Sequence, residues 1–369
     1  MFRWQELPQP IFGLAPMDGV TDHVFRTIVY RHGPPDVMFT EFVSVEGLSR
    51  RIPALFNDLK YQSHERPMIA QIYGYEPEAF KASVRIVAEH GFDGVDINMG
   101  CPAKSVVHSG GGAALIRECP HAKTIIKTCG QTLKEIYEET GKLLPLSVKT
   151  RLGYEKNMVK DWIAQLLECE ELSNISLHGR TLKQGYSGEA DWDAIAQAAE
   201  LAKGSGKTIL GNGDIKNLAD AAERIQKYKV NGVLLGRASY GNPWLFREKE
   251  KFRQIFPSSS LRAPSPSRGE GYKDAPPLPF EGEGRDEGVR VLLEHARLLW
   301  ESKDPRQFIQ IRKHCGWYIK GFNGAAELRA KLVRVSTFPE LEEILHNFVI
   351  PALSQDLTGI QEMPDQSPA

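Results

Sequence analysis

An α/β fold, a (β/α)8 barrel followed by a small α-helical bundle, is predicted by three observations. Short apolar runs alternate with helical patterns eight times over about the first 250 residues. Runs such as Val-Leu-Leu near residue 234 are apolar without alternation, as expected for parallel strands covered on both faces. After Phe256 the composition breaks, and amphipathic helical periodicity returns from Val289.

The predicted strands are Ile11–Ala15, Val37–Val43, Met68–Tyr73, Gly94–Asn98, Leu144–Lys149, Asn174–His178, Thr208–Asn212 and Gly232–Gly236. Helices are expected near 22–32, 46–56, 77–90, 117–140, 158–170, 191–203, 217–228 and 241–255. A doubly wound sheet shares this alternation, but eight units match the TIM barrel. The catalytic barrel domain is therefore assigned to 1–256. Residues 257–288, dense in Pro, Gly, Ser and charge, read as a linker that buries too little apolar surface to offset chain ordering. Residues 289–350 read as a helical domain, with helices at Val289–Lys303, Pro305–Gly321, Ala325–Ser336 and Phe338–Phe348, and 351–369 as a flexible tail.

Composition narrows the function. Lys+Arg total 46 and Asp+Glu 47, so any nucleic-acid surface must be a local patch. Such a patch exists between Val289 and Thr337, where ten Lys/Arg face four Asp/Glu, a local excess of six. There Arg312-Lys313-His314 sits with Trp317, Tyr318 and Lys320, mixing cations with aromatics. Five cysteines, never in a CxxC pair, argue against a disulfide framework or a zinc site and fit a reducing cytoplasm. No signal peptide or 18-residue apolar run is seen, so a soluble, cytoplasmic protein with no membrane segment and no metal is expected.

Barrel active sites form where strands end. The ends here carry Pro16 and Met17, Thr40 and Glu41, Gln71, Asn98 with Cys101, Lys149 with Arg151, His178 with Arg180, Asn212-Gly213-Asp214, and Gly236-Arg237. Nearly every one is polar or reactive, which points to an enzyme. Cys101 sits at the apex of a turn leaving a buried strand, and Ser109-Gly-Gly-Gly-Ala113 behind it reads as a flexible closing loop. Lys149 inside a barrel is costly unless paired; it fits a Schiff base or a charge beside an electron-rich ring. The Gln71 amide donates and accepts together, which suits the edge of a flat heterocycle. The glycine turns at 213 and 236, with Arg237, are placed for a phosphate. The plain alternative for the first of these is a turn before a helix with Asp214 near its N-cap.

Together, Leu14-Ala-Pro-Met-Asp-Gly-Val-Thr-Asp22, Asn98-Met-Gly-Cys-Pro-Ala-Lys104, Val148-Lys-Thr-Arg-Leu-Gly153, His178-Gly-Arg-Thr181 and Asn212-Gly-Asp-Ile215 resemble the tRNA-dihydrouridine synthases. The resemblance runs from about residue 11 to 247 and resumes around Lys313–Val335. It implies an FMN barrel with a tRNA-binding helical domain that reduces the C5–C6 double bond of uridines, with NADPH (or NADH) as reductant. Hydride would pass to C6 and a proton from Cys101 to C5. Pro16, Met17 and Gln71 would line the flavin, with Lys149 near its N1 and His178 beside it. Asn212, Gly213, Gly236 and Arg237 would hold its phosphate, and Asp214 would also belong to the cofactor site. Asn98 would face flavin or base, while Lys104, Arg180, Arg312, Lys313 and Lys320 would approach tRNA. A monomer is expected. The 257–288 stretch is longer than the family's usual connection. Rival readings are an FMN-dependent barrel reductase of a free pyrimidine or other small alkene, a Schiff-base aldolase built on Lys149, and a catalytically silent RNA-binding scaffold. The basic helical tail disfavours the first, and an intact Cys101 disfavours the other two.

Overall fold

Nine strands, all paired in parallel, wrap into a barrel in the computed structural model of the chain, which describes residues 2–254, 284–302 and 308–349. Two compact units divide it, Met1–Ala275 and Pro276–Ala369. Most of the expected linker (257–283) and the expected tail lie outside the described residues.

In the first unit the strands are β1 (Ile11–Leu14), β2 (Met38–Phe39), β3 (Val43–Ser44), β4 (Met68–Tyr73), β5 (Gly94–Met99), β6 (Leu146–Arg151), β7 (Leu172–His178), β8 (Thr208–Asn212) and β9 (Gly232–Leu235). Their order is β1-β9-β8-β7-β6-β5-β4-β2, with β3 also on β4. The expected second strand is thus two short pieces on one neighbour. Between them Thr40 accepts the Gln71 N–H on its side-chain hydroxyl at 2.9 Å, which replaces a ladder bond. The barrel closes through the Leu14 N–H to the Val37 carbonyl at 3.0 Å and the Asp36 N–H to the Phe12 carbonyl at 2.9 Å.

The helices are α1 (His23–His32), α2 (Val45–Ser49), α3 (Pro77–Glu89), α4 (Lys104–His108), α5 (Cys119–Thr140), α6 (Val159–Leu167), α7 (Trp192–Leu201), α8 (Leu218–Tyr228) and α9 (Lys249–Gln254). Side chains of Asp22, Asp191 and Asn217 cap α1, α7 and α8 by accepting backbone N–H groups. The helix expected at 46–56 stops at Ser49, and a 3-10 turn, Pro53–Asn57, follows, because proline has no N–H to continue the ladder. The helix expected from 241 begins only at Lys249, after the Gly241-Asn-Pro243 turn.

Register decides what faces inward. Ile11, Ile69, Leu210 and Leu234 pack with Trp4, Val37 and Phe39 as an apolar plug. Around the same interior Gln71, Asp96, Ser147, Asn174 and Thr208 are successive register partners, a polar row in a place where barrels are usually aliphatic. Nearer the carboxyl ends Asn98 pairs with Lys149, and Arg151 pairs with His178, which pairs with Asn212.

In the second unit the helices are α10 (Gly284–Glu301), α11 (Ile311–Tyr318), α12 (Ala325–Leu332) and α13 (Phe338–Val349). The first starts inside the stretch read as linker. Val289, Leu292, Ala296 and Leu299 recur at helical spacing on α10 and are buried, as are Ile311, Leu328 and Leu341 on the other three helices. His314, read as part of a surface patch, belongs to this core: its ring lies 4.3 Å from that of His295, whose Nδ1 is 3.3 Å from the Tyr318 hydroxyl. Arg312 is also structural. It donates to the Val335 carbonyl at 2.8 Å, and to the Arg334 carbonyl and the Ser336 hydroxyl at 3.1 Å, tying α11 to the turn after α12.

Burial holds both histidines neutral, with His295 pushed down to about 3 and His314 well below its ordinary value. The unfolded chain, with ordinary histidines near ~6.5, then binds more protons than the folded one once pH drops below that value. Stability of the helical unit is therefore complete above pH ~6.5 and is lost as pH falls toward about 3. Urea unfolding followed by tryptophan fluorescence should show a lower midpoint at pH 5 than at pH 7.5; equal midpoints would contradict the buried, neutral pair.

Candidate active site

A cavity of about 1020 Å³ opens at the carboxyl ends of the strands. Its wall collects Pro16 and Met17 beyond β1, Gln71 on β4, Asn98 on β5 and Cys101 beyond it. Lys149, Arg151 and His178 come from β6 and β7, and Asn212, Gly213, Asp214, Gly236 and Arg237 from the last two strand ends. Residues spread over more than 200 positions are brought to one mouth because parallel strands all end on the same side.

The Cys101 loop is rigid. Asn98 Oδ1 accepts the N–H groups of Gly100 at 3.0 Å and Cys101 at 2.8 Å. Arg151 Nε donates to the Gly100 carbonyl at 2.6 Å, and the Ala113 N–H to the Cys101 carbonyl at 3.2 Å. The glycine-rich stretch is not the open closing loop that was expected. Gly111, Gly112 and Ala113 are buried, and a Cβ on Gly112 would lie 2.8 Å from Val106 Cγ1 and 2.9 Å from the Cys101 carbonyl. Those glycines let a 3-10 turn, Gly112–Arg117, press against the cysteine loop. Cys101 is 7% exposed, and burial pushes its thiol up, so it keeps its proton at neutral pH.

Lys149 has its ammonium pushed down to about 8 by burial, with Arg151 adding to the effect and Asp96 opposing it. It and Arg151 are buried cations of the cavity wall at neutral pH. His178 is driven down by burial and by Lys149, Arg151 and Arg180, and stays neutral.

At the β8 and β9 end, Gly211 leaves room for the Trp192 ring, which a Cβ would approach to 2.5 Å. Trp192 Nε1 donates to the Gly213 carbonyl at 3.0 Å. Gly213 has φ +127, and a Cβ there would meet Ala190 Cβ at 2.8 Å and His178 Cδ2 at 3.1 Å. Asn212 Nδ2 donates to the Leu234 carbonyl at 2.8 Å. Asp214 is not an N-cap; that role falls to Asn217. Its carboxylate, held below the usual range chiefly by Arg180 against the effect of burial, accepts from Arg180 at 2.8 and 2.6 Å, Arg237 at 2.9 Å and the Ala190 N–H at 2.8 Å.

Arg180 therefore does not project toward solvent as expected of an RNA contact. Its side chain is 2% exposed and also donates to the Gly188 carbonyl at 2.5 Å. Arg237 is 56% exposed. Lys104 opens α4 and is exposed, as is Lys320, while Lys313 is half-buried and donates to Gln310 Oε1 at 3.3 Å.

Several residues of the cavity wall and its surroundings were given no role in the sequence reading. Tyr186 is 66% exposed, its ring 5.2 Å from the Arg237 guanidinium and 6.5 Å from the His178 ring. Its signal was the flanking pair Gly185 and Gly188, both at positive φ. Asp18 and Phe42 also line the wall. Glu41, noted only as a strand end, is raised to about 7 by burial, with Asp22, Asp58 and Asp18 adding to it. Asp96, wholly buried under Gln71, carried no sequence signal beyond its place in a strand.

The residues present fit a phosphorylated, flat cofactor. The cavity is at the upper end of ligand pockets of ~300–1,000 Å³. Its Lys149 ammonium makes no hydrogen bond among the described residues, and Gly213 and Gly236 leave backbone bare where a Cβ would meet His178 and Met17. Among the described residues there is no cluster of metal-ligating groups and no helix long and apolar enough to cross a membrane.

A parallel barrel with a protonated thiol and a buried ammonium at one mouth is the frame of a barrel enzyme. The family model described as dihydrouridine synthase (Dus) matches residues 13–353, and the chain belongs to that family. It is 34% identical over 358 residues to a probable tRNA-dihydrouridine synthase of Staphylococcus aureus (strain MRSA252), covering 94% of this chain and 95% of that one. It is 32% identical over 343 residues to the probable tRNA-dihydrouridine synthase 1 of Synechocystis sp., covering 92% and 86%. Among solved structures, histamine dehydrogenase from Rhizobium sp. 4-9 overlays with a TM-score of 0.47 at 14% identity, over 66% of this chain and 46% of that one, too slight a likeness to bear on chemistry.

Arg180→Met should lower stability by about 3 kcal/mol, because it leaves the Asp214 carboxylate with only the exposed Arg237 and the Ala190 N–H. Thermal unfolding checks this. A variant as stable as the parent, but weaker for RNA, would return Arg180 to the surface role.

Proposed function

We propose that this chain reduces the C5–C6 double bond of uridines in tRNA to give 5,6-dihydrouridine, using FMN and NADPH (or NADH), with Cys101 as the proton donor. The observation that carries this reading is the Cys101 thiol, kept protonated by burial and clamped at the cavity mouth by Asn98 and Arg151, in a chain of the Dus family. FMN, when bound and reduced by the nicotinamide, supplies the hydride that goes to C6. Cys101 gives its proton to C5 and regains one from solvent. A thiol with a raised pKa suits a donor that must hold its proton until the carbon needs it.

Met17, Pro16 and Gln71 would line the flavin ring, and the Lys149 ammonium would offset negative charge on it, with neutral His178 alongside. Gly213, Gly236, Asn212 and Arg237 would take the phosphate end. Asp214, itself an anion, contributes there by holding Arg180 and Arg237 in place. Asn98 would face the reacting base or the flavin. Lys104 on the barrel, with Lys313 and Lys320 on the helical unit, would follow the RNA backbone. A single copy of the chain contains every one of these groups.

Cys101→Ala should keep its flavin and lose about 10²–10⁴-fold in dihydrouridine formation, measured by mass spectrometry of digested tRNA. Undiminished turnover would remove Cys101 as the acid. Lys149→Met should retain less FMN than the parent after gel filtration; full retention would mean that the ammonium does not hold the cofactor. If free uracil is reduced as readily as tRNA, the small-alkene reading replaces this one.

A further inference from the structure

Four hydrogen bonds run in one direction beneath the cavity. The N–H groups of Gly100 and Cys101 donate to Asn98 Oδ1 at 3.0 and 2.8 Å. Asn98 Nδ2 then donates to Gln71 Oε1 at 3.0 Å, and Gln71 Nε2 to Asp96 Oδ2 at 2.7 Å. Ser147 donates to the other carboxylate oxygen at 2.6 Å. Asp96 and Gln71 are wholly buried, and Asn98 is nearly so.

An amide side chain has one accepting and one donating end, and either end can be turned toward a neighbour. A carboxylate only accepts. Asp96 therefore requires the Nε2 end of Gln71, which leaves Oε1 for Asn98, which leaves Asn98 Oδ1 for the two backbone N–H groups of the cysteine loop. Because Asn98 Oδ1 already takes two donors, what the two amides have left toward the cavity includes their remaining N–H groups. That floor is complementary to an acceptor edge of carbonyl oxygens and imine nitrogens.

We infer that Asp96 is the positioning residue of the site: as the terminal acceptor of this chain it orients the Gln71 and Asn98 amides as donors and holds the Cys101 loop in place. Asp96 touches no ligand itself, since it lies behind Gln71 and is absent from the cavity wall. The inference deepens the reading of Cys101 as proton donor and rests on it. Its test reads the thiol and needs neither tRNA nor reductant, so the two can fail separately.

The full-length chain, without and with added FMN, is treated with iodoacetamide, and Cys101 labelling is followed by peptide mass spectrometry. In Asp96→Leu the loop loses its anchor, and labelling should be about tenfold faster or more, with weaker FMN binding. Asp96→Asn keeps an acceptor for Gln71 and should restore labelling and FMN affinity to within about twofold of the parent. A folded leucine variant that labels and binds FMN as the parent does would overturn the inference. So would an asparagine variant as fast as the leucine one. If Asp96→Leu does not fold, Gln71→Met decides, since it cuts the chain one link nearer the cysteine: faster labelling supports the anchor, and an unchanged rate overturns it.

Discussion

Burial of charge inside the barrel is the constraint on which the rest of the site depends. The side chains at the strand ends are packed into the barrel wall, and desolvation acts on each group according to its sign. It lowers Lys149 to about 8, raises the Cys101 thiol and keeps His178 neutral. One cause thus produces an acid that keeps its proton, a cation that an anionic ring would stabilise, and an uncharged imidazole beside them. Neighbouring cations reinforce two of these states, since Arg151 adds to the lowering of Lys149, and Lys149, Arg151 and Arg180 add to that of His178.

The same constraint dictates how the remaining polar groups are arranged. Buried donors and acceptors must pair, and here they pair in chains. The Cys101 loop ends on Asp96 through two amides, and the turn after β8 ends on Asp214 through two arginines. The first runs from the loop down to a carboxylate on β5, whereas the second gathers two arginines from neighbouring strand ends on a carboxylate in the turn itself. In the first, strands supply Asp96, Gln71 and Asn98, so the cysteine loop inherits the precision of the sheet. The glycines at 112 and 213 allow those loops to approach their supports at distances a side chain would forbid.

Much of this was legible in the sequence. Short apolar runs between helical patterns located all eight staves, and polar residues at their ends identified Gln71, Lys149, His178 and Asn212 as facing one mouth, since both signals are local in the chain. What failed depends on tertiary partners. Arg180 and Arg312 look like RNA contacts in a linear reading, yet each is folded against carbonyls from elsewhere in its unit, and Arg180 also against a carboxylate. His314 follows Arg312 and Lys313 in the chain but faces His295 across two helices. Ser109–Ala113 reads as mobile because it is rich in glycine, although those glycines serve close packing. Asp96 lies between Val95 and Ile97, and only the register of β4 against β5 places it under Gln71.

The most direct test of the central claim is spectroscopic. Purified protein is examined for flavin absorption, reduced with NADPH without oxygen, and then mixed with tRNA transcript lacking dihydrouridine. The account predicts flavin bands that bleach with NADPH and return with tRNA, together with dihydrouridine in the product. A folded protein that takes up no added flavin, or a reduced flavin that tRNA leaves untouched while a free pyrimidine reoxidises it, would contradict the account.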